Sequence, residues 1–326
     1  MSGLFLGIDT SNYTTSAALA DGEGRILLNK KIPLPVREGE RGLRQSDAVF
    51  HHVKNLPEAS SAVRRTLSGA GEPGLCAAGV SCVPRDAEGS YMPCFLAGVS
   101  AAEMTAGAMG IPLYSFSHQA GHVMAAVSSV CRLRREPLGE WLEYNFLAFH
   151  VSGGTTDLLL VEPDERKVFK IIPVGGSKDL NGGQTVDRTG VRMGMAFPCG
   201  AKMDMAALTF SGSLPKAKTA VNGTFCCLSG LENKAAALWE STGDAAAVSA
   251  FTLDFIARTL AEMTDNARAL FGALPVIYAG GVMSSRYIRR ILSSRGSFAD
   301  PAYSSDNAAG IACLAAETYR RRHGSL

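Results

Sequence analysis

Two stretches of this chain share one pattern: an apolar strand, a small polar turn with two threonines, and a strand that returns. The first copy runs Leu4-Phe5-Leu6-Gly7-Ile8-Asp9, turns through Thr10 to Thr14, and returns along Thr15-Ser16-Ala17-Ala18-Leu19-Ala20. The second runs Asn145 to Val151, turns through Ser152-Gly153-Gly154-Thr155-Thr156, and returns along Asp157 to Val161. Short apolar runs bounded by turn residues read as buried strands. A duplicated unit restricts the architecture more than any single motif, because both copies must bury their sheets in the same way. Helical patterns interleave with the copies: Asp47 to Leu67, Gly98 to Met109, a helix beginning at His118, and Ala245 to Leu270, where Val248, Phe251, Phe255, Leu260 and Met263 form one stripe. Further strands are read at Arg25 to Leu28, Leu75 to Cys82, Ile111 to Phe116 and Pro275 to Ala279. The turn Gly280-Gly281, a helix from Ser284 and a last helix from Asn307 to about Arg321 complete the chain. This order predicts an α/β protein of two like lobes, a division that 326 residues can support. A cleft between lobes is the default ligand site.

With 46% apolar and 19% charged residues the composition is that of a globular protein. The net charge of +2 creates no global field for nucleic acid. Local basic clusters exist at Arg132, Arg134 and Arg135, at Arg286, Arg289, Arg290 and Arg295, and at Arg320 to Arg322. Each reads first as a solvated face. The eight cysteines include no Cys-x-x-Cys pair. The start lacks a basic region and cleavage site, and no apolar run reaches membrane-spanning length. A reducing cytoplasm, free thiols and no membrane partner are therefore expected. Without secretion, the glycosylation patterns at Asn12 and Asn222 carry no meaning.

His118 and His122, in Ser-His-Gln-Ala-Gly-His, are two of only six histidines. On a helix a spacing of four puts both imidazoles on one face, suited to one divalent metal; the competing reading is a pair of packed or surface histidines. Gln119 and Ala120 offer no carboxylate where a metalloprotease needs its base, which argues against an endopeptidase. Ser152, Gly153, Gly154, Thr155 and Thr156 could form an anion nest suited to phosphate. The hydroxyls of Thr10 and Ser11 stand in the equivalent turn, and Gly280-Gly281 precedes a helix N-terminus. Each glycine pair alone is more often a structural turn, but three turns that each end an apolar strand point to a ligand. Neither the dinucleotide fingerprint nor a Walker loop is present. Asp306, ahead of the last helix, reads as an N-cap or as a third metal ligand.

Taken in order, Gly-Ile-Asp-Thr-Ser, His-x-x-Gly-His, Val-Ser-Gly-Gly-x-Thr, Gly-Gly-Val and Ser-Asp-Asn-Ala-Ala resemble the TsaD family from about Leu4 to Ala316. This is the group long labelled O-sialoglycoprotein endopeptidase or peptidase M22. The resemblance implies an actin/hexokinase/Hsp70-type (ASKHA) fold, two duplicated lobes around a nucleotide cleft. It implies an N-terminal lobe over 1–117, with the C-terminal helix of about 306–326 packing back, and a C-terminal lobe over 118–305. The activity implied is transfer of threonylcarbamoyl from its adenylate to N6 of a tRNA adenosine beside the anticodon, with tRNA and a TsaB-like paralogue as partners. One metal, iron or zinc, would lie on His118, His122 and Asp306. An adenine nucleotide (ATP, AMP or acyl-adenylate) would lie on Val151, Ser152, Gly153, Gly154, Thr155, Asp187, Gly200, Gly280, Gly281 and Ser285, with Thr10 and Ser11 nearby. Ser152, Gly153 and Gly154 would act in catalysis, and Asp187 would hold the ribose.

The chain departs from the family pattern at several points. Tyr13-Thr14 replaces an acidic pair, Thr155 a histidine, Gln184 a glutamate, Ser285 an asparagine, Leu180 the second of two aspartates, and Val83-Pro84-Arg85-Asp86 an Arg-Gly-Pro-Gly loop. The departures make a divergent paralogue the expectation. They keep open a related carbamoyl- or acyl-adenylate transferase with another acceptor, and a non-catalytic nucleotide-binding partner of a true TsaD.

Overall fold

The computed structural model of the chain describes residues 3–11, 13–35, 43–69, 74–303 and 307–324. Two compact units emerge. One comprises Met1–Glu143, Pro163–Lys170 and Asp306–Leu326, and the other Tyr144–Glu162 and Ile171–Ser305. The first unit continues through the histidine helix, whereas the sequence reading ended that lobe at residue 117.

The first unit holds β1 (Leu4–Asp9), β2 (Thr14–Asp21), β3 (Ile26–Pro33), α1 (Gln45–Gly69), β4 (Leu75–Val83), α2 (Phe95–Met109), β5 (Leu113–Ser117), α3 (His118–Arg134) and the short α4 (Leu138–Trp141). Its sheet has the order β3-β2-β1-β4-β5. β1 pairs antiparallel with β2, placing Asp9 opposite Ser16, and parallel with β4. The second unit holds β6 (Phe146–Val151), β7 (Thr156–Asp164), β8 (Val168–Ser177), α5 (Gly182–Arg192), α6 (Gly200–Thr209), β9 (Val221–Asn222), β10 (Phe225–Cys226), α7 (Ser229–Thr242), α8 (Ala245–Phe271), β11 (Val276–Ala279), α9 (Arg286–Leu292) and β12 (Ser297–Phe298). Its sheet has the order β12-β11-β6-β7-β8-β10-β9. Read from β8 to β12, it repeats the first sheet strand for strand: β6 lies antiparallel to β7 and parallel to β11, as β1 lies to β2 and β4. The repeat seen in the sequence is thus a repeat of sheet topology, and β9–β10 is an addition outside it.

The chain closes with α10 (Ala308–His323), whose residues from Ala308 to Thr318 are all buried. Over Ala308–Ala316 it is apolar and small on every side, and that part has no solvent face. Its approach to α3 is set by backbone: a Cβ built on Gly310 would lie 1.9 Å from the carbonyl oxygen of Gly121. No side chain fits there, and the contact explains why α3 belongs to the first unit. It also carries Asn307 to the N-terminal end of α3. That end is capped by Ser117, whose hydroxyl accepts the Ala120 N–H at 3.2 Å.

In the second unit α8 is the spine of the core, with Val248, Phe251, Phe255, Leu260 and Met263 all buried as the stripe predicted. Asp244 caps it, accepting the amides of Ala246 and Ala247 at 2.9 and 3.0 Å. Gly280 follows β11 with φ +100°, and a Cβ there would meet Val151 O at 2.3 Å. Glycine is required both for the conformation and for the approach to β6. The helix expected from Ser284 begins two residues later, at Arg286. Gly281–Ser284 is a 3₁₀ turn, and Ser285 then caps α9 by accepting the Ile288 N–H at 3.2 Å.

Candidate functional site

β5 runs directly into α3, so His118 stands at the first helical position, beside the C-terminal end of β1. The ring centroids of His118 and His122 lie 4.5 Å apart, edge to face, as their spacing predicts. The Nδ1 of His118 lies 2.9 Å from Oδ2 of Asp9, a carboxylate only 1% exposed. The other Asp9 oxygen accepts the Ser11 N–H at 2.7 Å. Burial by itself would raise the Asp9 carboxyl; the attraction of His118, with hydrogen bonds from His118, Ser11 and Asn307, outweighs burial and holds it below the usual carboxylate range. Asn307 presses its amide nitrogen against His118 Nδ1 and donates to the His118 carbonyl at 2.9 Å. Among the described residues, no three His, Cys, Asp or Glu side chains gather into a metal-binding group. Asp306, the expected third ligand, lies outside the described residues. The two histidines nonetheless suit a cation in their donor chemistry. One ring nitrogen of His118 is tied to a carboxylate, as in metal-bound histidines, and His122 is its half-buried neighbour.

In the second unit a cavity of about 570 Å³ opens among α5, α6, the Gly281–Ser284 turn and the start of α9. The volume is right for a small-molecule site. Gly153, Asp187, Gly200, Gly281 and Ser285, all expected at a nucleotide, line it together. Val186, Leu253 and Val282 supply apolar wall. Asp187 projects from α5, and its Oδ1 accepts the Cys199 N–H at 2.8 Å. Asp204 also lines the cavity and was missed by the sequence reading. It is 8% exposed; its Oδ1 accepts the Ser285 hydroxyl at 2.6 Å and the Tyr287 N–H at 3.0 Å, and its Oδ2 lies 3.6 Å from Arg286 Nε. One signal was present: Asp204 follows Gly200 by four residues, one helical turn along the same face.

Other expected residues are placed differently. Val151 ends β6, fully buried under Gly280. Ser152 does not line the cavity, and neither do Gly154, Thr155 or Gly280. The Ser152 hydroxyl accepts the amides of Gly154 and Thr155 at 3.3 and 3.2 Å and lies 3.0 Å from the Thr155 hydroxyl. A phosphate in this turn must replace that hydroxyl as the partner of both amides. The Thr10 hydroxyl donates to the Cys94 carbonyl and accepts the Gly98 N–H, both at 2.9 Å, so it ties the β1 turn to α2. Ser11 is buried beside Asp9. A second cavity, of about 550 Å³, lies between α1 and α2 in the first unit, but no carboxylate lines it and its walls are mainly Leu, Val and Ala. None of the eight cysteines, all among the described residues, is joined in a disulfide. Burial pushes Cys131 and Cys226 up to about 12 and Cys313 to about 11, so these three are packed thiols rather than nucleophiles. Among the described residues, no helix is long and apolar enough to cross a membrane.

Comparison with known proteins adds to this geometry. A family model described as "TsaD: tRNA N6-adenosine threonylcarbamoyltransferase" matches residues 89–313. The tRNA N6-adenosine threonylcarbamoyltransferase of Streptococcus pneumoniae (strain Taiwan19F-14) is 29% identical over 303 residues, covering 89% of this chain and 83% of its own length. Among solved structures, a ROK family glucokinase from Streptomyces griseus in complex with glucose and AMPPNP matches with a TM-score of 0.51 at 15% identity, over 96% of this chain and 98% of that one. Component A of the Acidaminococcus fermentans (R)-2-hydroxyglutaryl-CoA dehydratase matches with a TM-score of 0.51 at 13% identity, over 97% and 98%. At such identities the likeness speaks for the fold alone, which is the actin/hexokinase type that the resemblance implies.

Proposed function

Since the chain belongs to the TsaD family of tRNA N6-adenosine threonylcarbamoyltransferases, we propose that it moves a threonylcarbamoyl group from its adenylate to N6 of a tRNA adenosine beside the anticodon. The observation that carries this reading is the convergence of Asp187, Gly200, Gly281 and Ser285, distant in sequence, on one cavity of nucleoside size. In the reaction, the adenosine N6 nitrogen bonds to the carbamoyl carbon. The bond from that carbon to the phosphate oxygen breaks, AMP leaves with the electron pair, and N6 gives up a proton.

Asp187 keeps one oxygen on the Cys199 amide and has a second to accept from the ribose hydroxyls. Asp204, held by Ser285 and Tyr287, adds a second acceptor in the wall. Gly153, Gly200 and Gly281 let backbone approach the ligand where a side chain would exclude it. His118, His122 and Asp306 are the residues that would hold a divalent cation, iron or zinc. When bound there, it supplies Lewis acidity that polarises and orients the transferred group. The implied partners are tRNA and a TsaB-like paralogue, with the cytoplasm as the place of action.

One observation favours a second reading, a related transferase with another acceptor or a nucleotide-binding partner of a true family member. Tyr13, 46% exposed, and Thr14 stand where an acidic pair is expected. The test is direct transfer. The purified chain with its partner proteins is given threonylcarbamoyl-adenylate and unmodified tRNA, and the nucleosides are analysed by mass spectrometry. Threonylcarbamoyladenosine is expected; AMP binding without that product moves the assignment to the second reading.

A further inference from the structure

Resting on the reading of His118 and His122 as cation ligands, we infer that Asp9 is a positioning residue for that site: its buried carboxylate fixes the His118 ring as the Nδ1–H tautomer and leaves Nε2 to bind metal. The geometry is a 2.9 Å contact from Asp9 Oδ2 to His118 Nδ1 between side chains 2% and 20% exposed. A carboxylate offers lone pairs only, so the proton between the two atoms belongs to Nδ1. The Asn307 amide nitrogen crowds the same ring nitrogen and by itself favours the opposite tautomer. Asp9 prevails because a hydrogen bond to an ionised group is about twice as strong as one between neutral groups. Phe95, 2% exposed, meets the ring edge to face at a centroid distance of 6.1 Å and restricts its tilt. Asp9 is committed at both oxygens, with Ser11 N–H on the other at 2.7 Å. An asparagine in its place can accept at only one of the two, so one donor is left facing an amide NH₂.

The experiment uses the full-length chain. Zn²⁺ affinity is measured by competition with a chromophoric chelator for the wild type, Asp9→Asn and the double variant His118→Ala/His122→Ala. Loss of an outer partner of a metal-bound histidine typically costs 10–100-fold in affinity, roughly the loss expected for Asp9→Asn. The double variant should lose the site altogether. Zinc binding unchanged in the double variant removes the cation reading, and the inference with it. Zinc lost in the double variant but held by Asp9→Asn within about twofold of wild type overturns the inference alone. Should Asp9→Asn not fold, ¹⁵N-histidine NMR of the metal-free wild type decides, at a pH near 8.5 where an ordinary imidazole is neutral. The Nδ1–H tautomer at His118 is expected, and the Nε2–H tautomer overturns the inference.

Discussion

Asp187 and Asp204 show what a carboxylate means once its surroundings are known. Each is anchored by donors from its own unit, so each enters the cavity as a fixed acceptor with no rearrangement needed on binding. A hydrogen bond to a charged group contributes about 1.5–3 kcal/mol. Asp187→Ala should therefore weaken AMP binding by about tenfold or more in calorimetry, and equal affinity would contradict the assignment. Asp187 was picked out only through the resemblance, as the residue that would hold a ribose. Asp204 and Asp9 were not: a lone carboxylate on a helix or at a strand end reads as a solvated group, and only packing shows it at 8% or 1% exposure. Thr10 shows the opposite case. A threonine in a polar turn suggests a ligand contact, yet its hydroxyl bridges Cys94 and Gly98.

Helices and strands were legible wherever their period was strong, as in α8 and the two strand pairs. α5, α6 and α7 were not marked out; polar side chains distant from any apolar stripe fix the starts of α5 and α7. The Asn181 N–H donates to Gln184 Oε1 at 3.1 Å at the start of α5. Asp179 gathers the Ser229 hydroxyl and the amides of Leu228 and Ser229 at the start of α7. Burial alone would raise the Asp179 carboxyl; the Ser229 hydroxyl and the amides of Leu228, Leu180 and Ser229 hold it down at about 2. With the folded value depressed, its contribution is complete above the ordinary 3.8 and is lost as pH falls towards 2. Asp179→Asn should remove that part of the acid sensitivity, seen as a smaller difference between melting temperatures at pH 5 and pH 3, roughly either side of the ordinary carboxylate range. Asp244→Ala should cost about 1 kcal/mol by uncapping α8, read from urea unfolding. Gly310→Ala drives a methyl into the Gly121 carbonyl and should cost about 1–3 kcal/mol, because backbone cannot yield as a side chain does. A melting temperature equal to wild type would mean that α10 and α3 are not in the contact described.

At the scale of the molecule, the repeat fixes two sheets of matching order, and family and fold agree with it. Charge says less than the arginine count suggests. Arg320 and Arg321 are held by Glu317, Arg295 by Asp265, and Arg289 by the carbonyls of Met283 and Ala299, so much of the basic sequence is structural. Under the proposed function, a tRNA surface must draw on other basic groups, and composition could not reveal which arginines those are. The proposal that matters most at this scale is that this cavity and histidine pair serve threonylcarbamoyl transfer. It is tested most directly in a strain depleted of its own threonylcarbamoyl transferase, supplied with the wild-type chain or with Asp187→Ala/His118→Ala, with threonylcarbamoyladenosine quantified in total tRNA. The wild type is expected to restore the modified nucleoside, and the double variant is not. No restoration by a wild-type chain that is present, folded and binding AMP would contradict the proposal.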